Sequence, residues 1–248
     1  MDLHRFFQEN PRVALAFSGG VDSAYLFWAA LREGARVRAY YVSSAFQPRF
    51  ELRDAQQVAA LLQGDMKILQ TDVLADRQVT ANPPDRCYYC KKRIFSAIAQ
   101  AAEADGFPVL MDGTNASDDA GDRPGMRALR ELSVRSPLRE CGLTKADIRK
   151  GARAAGLPVW DKPAYACLAT RIPTGTEITG DKLRRTEAAE DCLTGMGFRD
   201  FRVRMAGDAA KIQVPASQME LVLEKRAEII RELKRYYGTV TLDLEARG

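Results

Sequence analysis

The sequence holds a single histidine, His4. That scarcity removes Ser-His-Asp triads, histidine zinc sites and histidine general bases together, since each needs an imidazole inside a folded site and His4 sits near a chain end. No stretch reaches the roughly 18 consecutive apolar residues of a membrane helix. The opening residues Met1-Asp2-Leu3-His4-Arg5-Phe6-Phe7 carry neither a basic region followed by an apolar run nor a small-residue cleavage site. A cytoplasmic chain with no membrane partner is the expectation. A block of basic residues is missing too: 37 Lys and Arg stand against 33 Asp and Glu, a net charge of +4 spread along the chain. Such a charge does not by itself argue for nucleic acid. Five cysteines are an odd number, and in a reducing compartment they point to metal or sulfur chemistry before disulfides. What is present is ordinary globular composition, 46% hydrophobic and 28% charged over 248 residues, enough for one large domain or a large and a small one.

Through the first two-thirds, strand-like apolar runs alternate with helix-like segments. Strands are expected at Arg12 to Phe17, Val37 to Val42, Met66 to Leu69 and Pro108 to Met111, with a last one near Ser133-Val134. Helices are expected at Asp22 to Leu31, about Phe50 to Leu62, Lys91 to Ala104, and Lys145 to Ala155 behind the N-cap Thr144. This rhythm predicts an α/β fold with a doubly wound parallel sheet, in an order such as 3-2-1-4-5, and ligands beyond the carboxyl ends of the strands. Trp160 to Gly175 reads as a long connection. After it the order becomes helix (about Lys182 to Met196), strands (Phe201 to Met205, Ala210 to Val214), helix (Gln218 to Tyr236) and strand (Thr239 to Leu244), a small α+β domain. The boundary is expected near residue 172, giving domains 1–172 and 173–248.

Between the first strand and helix stands Ser18-Gly19-Gly20-Val21-Asp22-Ser23. Glycines there let the backbone turn tightly, N–H groups converge, and the helix start adds a positive dipole end, which together suit an anion. The Ser18 and Ser23 hydroxyls add donors. It is neither a Walker A loop nor Gly-x-Gly-x-x-Gly. A glycine turn with a capping Asp22 or Ser23 is the plainer reading. In context the hexapeptide resembles the PP-loop of N-type ATP pyrophosphatases, the adenine nucleotide alpha-hydrolase-like group. There the loop holds the pyrophosphate of ATP, with Mg2+, while a substrate oxygen attacks the α-phosphate. Positioning and electrostatics dominate such chemistry, so a histidine-free site is no obstacle. Asp112-Gly113-Thr114-Asn115 after the fourth strand would lie beside that loop, and Ser43 ends the second strand where adenine contacts are usual in the group. The resemblance thus implies Ser18, Gly19, Gly20, Asp22, Ser23, Ser43, Gly113, Thr114 and Asn115 as ATP-binding residues. Taken alone, Asp-Gly-Thr-Asn is an ordinary turn.

Cys87-Tyr88-Tyr89-Cys90 opens a helix, preceded by Asn82-Pro83-Pro84-Asp85-Arg86, and Cys167 lies far off in the long connection. Two thiolates at i, i+3 reach one metal, and a third would complete three ligands. On spacing alone, metal, redox and inert readings all remain open. Cys141 and Cys192 have no partner at motif spacing and read as small buried hydrophobes.

Further motifs narrow the resemblance: Asp122-Arg123-Pro124-Gly125, Ser136-Pro137-Leu138, Gly142-Leu143-Thr144-Lys145, Trp160-Asp161-Lys162-Pro163-Ala164, Ala166-Cys167-Leu168-Ala169-Thr170-Arg171-Ile172-Pro173 and Arg202-Val203-Arg204. From about residue 12 to 214 the chain resembles the LarE family, ATP-dependent sulfur transferases that help assemble the nickel-pincer nucleotide cofactor of lactate racemase. The resemblance implies that ATP adenylates a carboxylate of a pyridinium dicarboxylate mononucleotide and that sulfur then makes a thiocarboxylic acid. Some members give up the sulfur of the cysteine matching Cys167, leaving dehydroalanine. Others hold a [4Fe-4S] cluster on three cysteines, its open iron binding an extra sulfide, and Cys87, Cys90 and Cys167 resemble that type. A homo-oligomer, possibly a hexamer, is implied as well.

Arg202 and Arg204, two apart on an expected strand, project to one face, and guanidinium forks suit phosphate and carboxylate oxygens. They are candidate substrate ligands; exposed strand charges are the plain alternative. Arg171, four residues after Cys167, is a candidate anion anchor, and Glu190 is either a partner of an arginine or substrate, or a surface acid. From Gly175 onward 13 Lys and Arg face 13 Asp and Glu, which favours a small anionic substrate over an RNA backbone. Three other readings stay in play: another PP-loop activity (a tRNA thiolase or an amide-forming synthetase), a non-catalytic adenine-nucleotide sensor, and a structural zinc module.

Overall fold

The computed structural model describes residues 2–118 and 124–247. Asp122 and Arg123 of the motif above lie outside the described residues. In chain order the elements are α1 (Leu3–Glu9), β1 (Arg12–Ala16), α2 (Val21–Arg32), β2 (Arg36–Ser43), α3 (Arg49–Leu61), β3 (Asp65–Gln70), α4 (Arg77–Thr80), α5 (Arg86–Ala104), β4 (Val109–Met111), α6 (Pro124–Glu131), α7 (Pro137–Glu140) and α8 (Lys145–Ala154). A 3₁₀ turn at Leu168–Arg171 comes next, then α9 (Gly180–Gly195), β5 (Arg202–Ala206), β6 (Ala209–Gln213), α10 (Met219–Glu224), α11 (Arg226–Leu233) and β7 (Thr239–Leu242). The chain forms two units: Met1–Val73 with Asp85–Lys162, and Leu74–Pro84 with Pro163–Gly248.

In the first unit the sheet order is β3-β2-β1-β4, every pair parallel. Alternation along the strands splits the core between two faces. Val13, Leu15, Val37, Ala39 and Tyr41 pack with Phe27 of α2, Val58 of α3 and Ile148 of α8. Ala14, Tyr40 and Val42 pack on the other side with Ile98 of α5 and Leu129 of α6. Helices thus cover both faces, as the doubly wound reading requires, and β1 and β2 are buried almost throughout, as central parallel strands are. Edge strand β3 carries Asp65, Lys67 and Gln70, charges and amides that discourage pairing with another chain. The strand expected near Ser133-Val134 is reduced to one parallel bridge, Arg135 to Met111. Ser133 takes a left-handed φ of 53° and Pro137 already begins α7, so no room remains for a ladder.

The second unit has a three-stranded sheet, β5-β6-β7, antiparallel between β5 and β6 and parallel between β6 and β7. Glu190 and Leu193 of α9 face inward with Leu233 of α11. The helix expected over Gln218 to Tyr236 is two helices, broken at Lys225, whose φ and ψ of −91° and 9° leave the helical region. Among the described residues no helix is long and apolar enough to cross a membrane.

Candidate active site

In the first unit, Gly19 takes φ +73°, and a Cβ there would sit 2.9 Å from the Cα and Cβ of Ala55 on α3. Only glycine meets both conditions. Gly20 then caps α2 without a side-chain hydrogen bond, so the first N–H groups of a twelve-residue helix face outward. The two serines brace the turn: Ser18 N donates to Ser23 Oγ at 3.3 Å, the two hydroxyls lie 3.2 Å apart, and Ser23 Oγ donates to Gly20 O at 3.1 Å. A glycine turn at a helix start can take an anion.

The loop after β4 closes against it. A Cβ on Gly113 would stand 2.9 Å from Ser23 N. Asn115, buried, donates from Nδ2 to Asp22 Oδ1 at 3.2 Å. Buried Asp112 anchors the loop by accepting from Thr114 Oγ1 at 2.5 Å and from Ser136 Oγ at 2.7 Å. Ser43 ends β2 at the same edge of the sheet, half-buried, its carbonyl accepting from Thr71 N at 3.1 Å. The structure therefore brings Ser18, Gly19, Gly20, Asp22, Ser23, Gly113, Thr114 and Asn115 into one contiguous set.

Sequence reasoning gave no role to Lys145. Its Nζ lies 2.5 Å from Asp22 Oδ2. Lys145 is the first residue of α8, whose start is held by a capping box between Thr144 and Asp147. Its backbone N–H donates to Ser117 Oγ at 2.9 Å, tying α8 to the loop after β4. Two helix N-termini and one ammonium group thus meet at Asp22, an arrangement whose donors can take phosphate oxygens. A lysine at a helix start is a weak signal, and its partner lies 123 residues away in sequence.

Cys87 and Cys90 occupy the first turns of α5, the former exposed and the latter buried. Arg86, buried, lies over the Phe46 ring at 5.5 Å and donates to Cys87 Sγ at 3.8 Å. Cys167 belongs to the second unit. Among the described residues no group of three or more His, Cys, Asp or Glu side chains that could hold a metal ion is found. Cys141 and Cys192 are half-buried, short of the full burial expected, and burial pushes both thiols up from their ordinary range.

In the second unit, Cys167 precedes the 3₁₀ turn, its carbonyl accepting from Thr170 N at 3.0 Å and Thr170 Oγ1 at 2.8 Å. Three arginines hold the carbonyls of this segment. Arg202 Nη2 donates to Ala164 O at 2.6 Å, Arg171 Nη1 to Ala166 O at 3.0 Å, and Arg204 Nη1 to Thr170 O at 2.6 Å. Arg171, 1% exposed, pairs with buried Glu190, Nε to Oε1 at 2.8 Å and Nη2 to Oε2 at 3.3 Å. Glu190 Oε1 also accepts from Val203 N at 2.9 Å, and Oε2 from the Tyr165 hydroxyl. Glu190 is thus an internal partner of an arginine, and the surface-acid alternative falls away. Arg202 is likewise buried, and Arg204 is half-buried.

Four cations, Arg171, Arg202, Lys211 and Arg247, pair with three carboxylates among the described residues, those of Glu190, Asp200 and Asp243, and Arg204 reaches Asp243 only through the Gln213 amide. Burial first, then the neighbouring charges of Arg171 and Arg247, pull Arg202 down to about 10 and lower Arg204 as well. Both remain charged at neutral pH, in surroundings that an anion would relieve.

No family model matches the chain. A pyridinium-3,5-bisthiocarboxylic acid mononucleotide synthase of Lactiplantibacillus plantarum is 34% identical over 240 residues, covering 96% of this chain and 87% of that protein. The chain belongs to the LarE family. An uncharacterised protein of Synechocystis is 37% identical over 98% of this chain and 92% of its own length. A tRNA-specific 2-thiouridylase of Frankia alni is 28% identical over 61% of this chain and 53% of its own, a likeness in keeping with a PP-loop fold shared by LarE proteins. As a LarE protein the chain is an ATP-dependent sulfur transferase.

Proposed function

We propose that this LarE-family chain adenylates a carboxylate of pyridinium-3,5-dicarboxylate mononucleotide and exchanges the activated oxygen for sulfur, in the assembly of the nickel-pincer cofactor of lactate racemase. A carboxylate oxygen of the substrate attacks the α-phosphorus of ATP, and pyrophosphate leaves. Ser18, Gly19, Gly20 and Ser23 bind the pyrophosphate through backbone N–H groups and hydroxyls. Lys145 and the start of α2 stabilise the charge that grows on it, and Asp22 holds Lys145 in place. Mg2+ accompanies the phosphates, and Gly113, Thr114, Asn115 and Ser43 complete the nucleotide site.

Arg202 and Arg204 take the anionic groups of the mononucleotide, Arg171 anchors the segment that bears Cys167, and Glu190 orients Arg171. The Cys167 thiolate attacks the acyl carbon of the adenylate and AMP leaves, forming a thioester. Loss of the Cys167 α-proton and cleavage of its Cβ–Sγ bond then release the thiocarboxylate and leave dehydroalanine. Cys87, Cys90 and Cys167 are the thiols that would hold a [4Fe-4S] cluster, whose chemistry is to present an added sulfide on an open iron. The sulfur step that needs no added group is that of Cys167.

The observation that carries the reading is a thiol, Cys167, set in a segment whose carbonyls are gripped by three arginines. The even charge from Gly175 onward favours a small anion over tRNA. A homo-oligomer, a hexamer by family likeness, completes the proposal, with the cytoplasm as its place of action. Intact-mass spectrometry after one turnover tests it. Loss of one sulfur and two hydrogens from the chain supports Cys167 as donor, and an unchanged mass with repeated turnover transfers the role to a cluster. Absence of AMP formation with this mononucleotide refutes the reading.

A further inference from the structure

Tyr165 has no part in the bond-making steps above, yet it joins Arg171, Arg202 and Glu190, three of the groups that steady the Cys167 segment. Its ring lies beneath two guanidinium groups, Arg171 at 4.6 Å and Arg202 at 5.1 Å from the centroid. Its hydroxyl donates to Glu190 Oε2, the carboxylate that pairs with Arg171. The carbonyls on either side of it, of Ala164 and Ala166, are the ones held by Arg202 and Arg171. Two like charges that would otherwise repel are each attracted to the electron-rich face of one ring, which fixes their spacing. Arg204 supplies the third grip at Thr170 O and keeps Nη2 without an acceptor among the described residues, a donor left for an incoming anion.

Resting on the proposed function, we propose that Tyr165 is a positioning residue for sulfur transfer: its ring spaces Arg171 and Arg202 so that the Ala164–Thr170 segment holds the Cys167 thiol in one orientation beside the anion-binding arginines. Tyr165 makes no contact with the reacting atoms. It acts by limiting the positions the thiol can take before the acyl adenylate arrives, where a displacement of an ångström is expensive.

The test uses the full-length protein with ATP and pyridinium-3,5-dicarboxylate mononucleotide, comparing wild type with Tyr165→Leu, Tyr165→Phe and Cys167→Ser. Pyrophosphate release and thiocarboxylate formation are followed separately. The rate at which iodoacetamide alkylates Cys167 in substrate-free protein is read by peptide mass spectrometry. In Tyr165→Leu the single-turnover rate of thiocarboxylate formation falls about tenfold to a hundredfold, the range expected of a misplaced reactive group, with ATP affinity and pyrophosphate release unchanged. Alkylation of Cys167 accelerates several-fold in the same variant. Tyr165→Phe keeps the ring, so alkylation stays at the wild-type rate and most of the single-turnover rate returns.

A folded Tyr165→Leu with wild-type rates of single-turnover sulfur transfer and alkylation overturns the proposal. Should Tyr165→Leu not fold, Tyr165→Met, which also removes the ring, decides: wild-type rates of alkylation and sulfur transfer overturn it, and faster alkylation with slower transfer upholds it. Cys167→Ser separates the two levels. Thiocarboxylate formation by Cys167→Ser at the wild-type rate removes the underlying reading, whereas an inactive Cys167→Ser beside an unimpaired Tyr165→Leu removes only the role of Tyr165.

Discussion

Replacing Gly19 with alanine meets two separate penalties, and Gly34 isolates one of them. Both glycines have positive φ, +73° and +75°, but nothing lies within 4 Å of a Cβ at Gly34, whereas one at Gly19 stands 2.9 Å from Ala55 Cα and Cβ. A left-handed alanine costs about 1–2 kcal/mol, so Gly34→Ala loses about that much stability. Overpacking against a backbone atom adds about 1–3 kcal/mol, which brings Gly19→Ala to about 2–5 kcal/mol if the loop stays in place. The alternative is for the loop to relax away from α3. The steric part then appears as lost nucleotide affinity instead, about five- to 150-fold for 1–3 kcal/mol. Urea unfolding of the two variants, with calorimetric titration of ATP, separates these routes. In either case Gly19→Ala is worse than Gly34→Ala on at least one axis, and Gly34→Ala binds ATP like wild type. Equal stability loss in both variants together with unaltered ATP affinity in Gly19→Ala would refute the argument that this turn is shaped by its closeness to Ala55.

Lys145→Met keeps the length of the side chain and removes its charge from the neighbourhood of Asp22. AMP formation is expected to fall about 10²- to 10³-fold, as for loss of one preorganised electrostatic group, with the far-ultraviolet circular dichroism unchanged. An unaltered rate of AMP release removes Lys145 from the site. Asp105 supplies a pH dependence: hydrogen bonds from Lys67, Tyr40 and Arg38 hold its carboxyl at about 2, below its ordinary 3.8. Because the folded value is the lower one, its contribution is present above about pH 4 and disappears as the pH falls toward 2. In an acid titration followed by fluorescence, Asp105→Asn is therefore less stable than wild type at pH 6, and the two curves converge near pH 2; curves that stay parallel throughout contradict it.

The doubly wound sheet was legible because its signals are local. Val13-Ala14-Leu15, Val37 to Val42 and the helix faces between them declare their periods in short windows, and glycine and proline mark most turns. The phosphate loop was legible for the same reason, since strand, glycine turn and helix start are consecutive. Contacts made across the chain were not. Lys145 meets Asp22 over 123 residues, and nothing in the sequence near either announces the other. Tyr165, in a connection without periodicity, gives no sign that it lies beneath Arg171 and Arg202. The alternation that put Arg202 and Arg204 on one face left open whether that face is wet or buried, and only packing against the Cys167 segment decides it. The excursion Leu74–Pro84 was hidden because its composition matches the loops around it, while its membership in the second unit depends on residues far downstream.

That excursion has a consequence for biosynthesis. Asn82, buried and with φ +53°, donates from its amide to Pro173 O at 2.8 Å and to Ile172 O at 3.3 Å, while Gly175 N and Ile178 N donate to Asn82 O and Thr80 O at 2.9 Å and 2.7 Å. These acceptors and donors are synthesised some ninety residues apart. A nascent chain that has completed β3 and emitted residues 74–84 must therefore carry them unsatisfied while the rest of the first unit is translated, and the loop closed afterwards is long. Ending a recombinant chain at residue 162 would reproduce that arrest permanently, leaving an orphaned eleven-residue detour between β3 and α5 immediately ahead of Cys87 and Cys90.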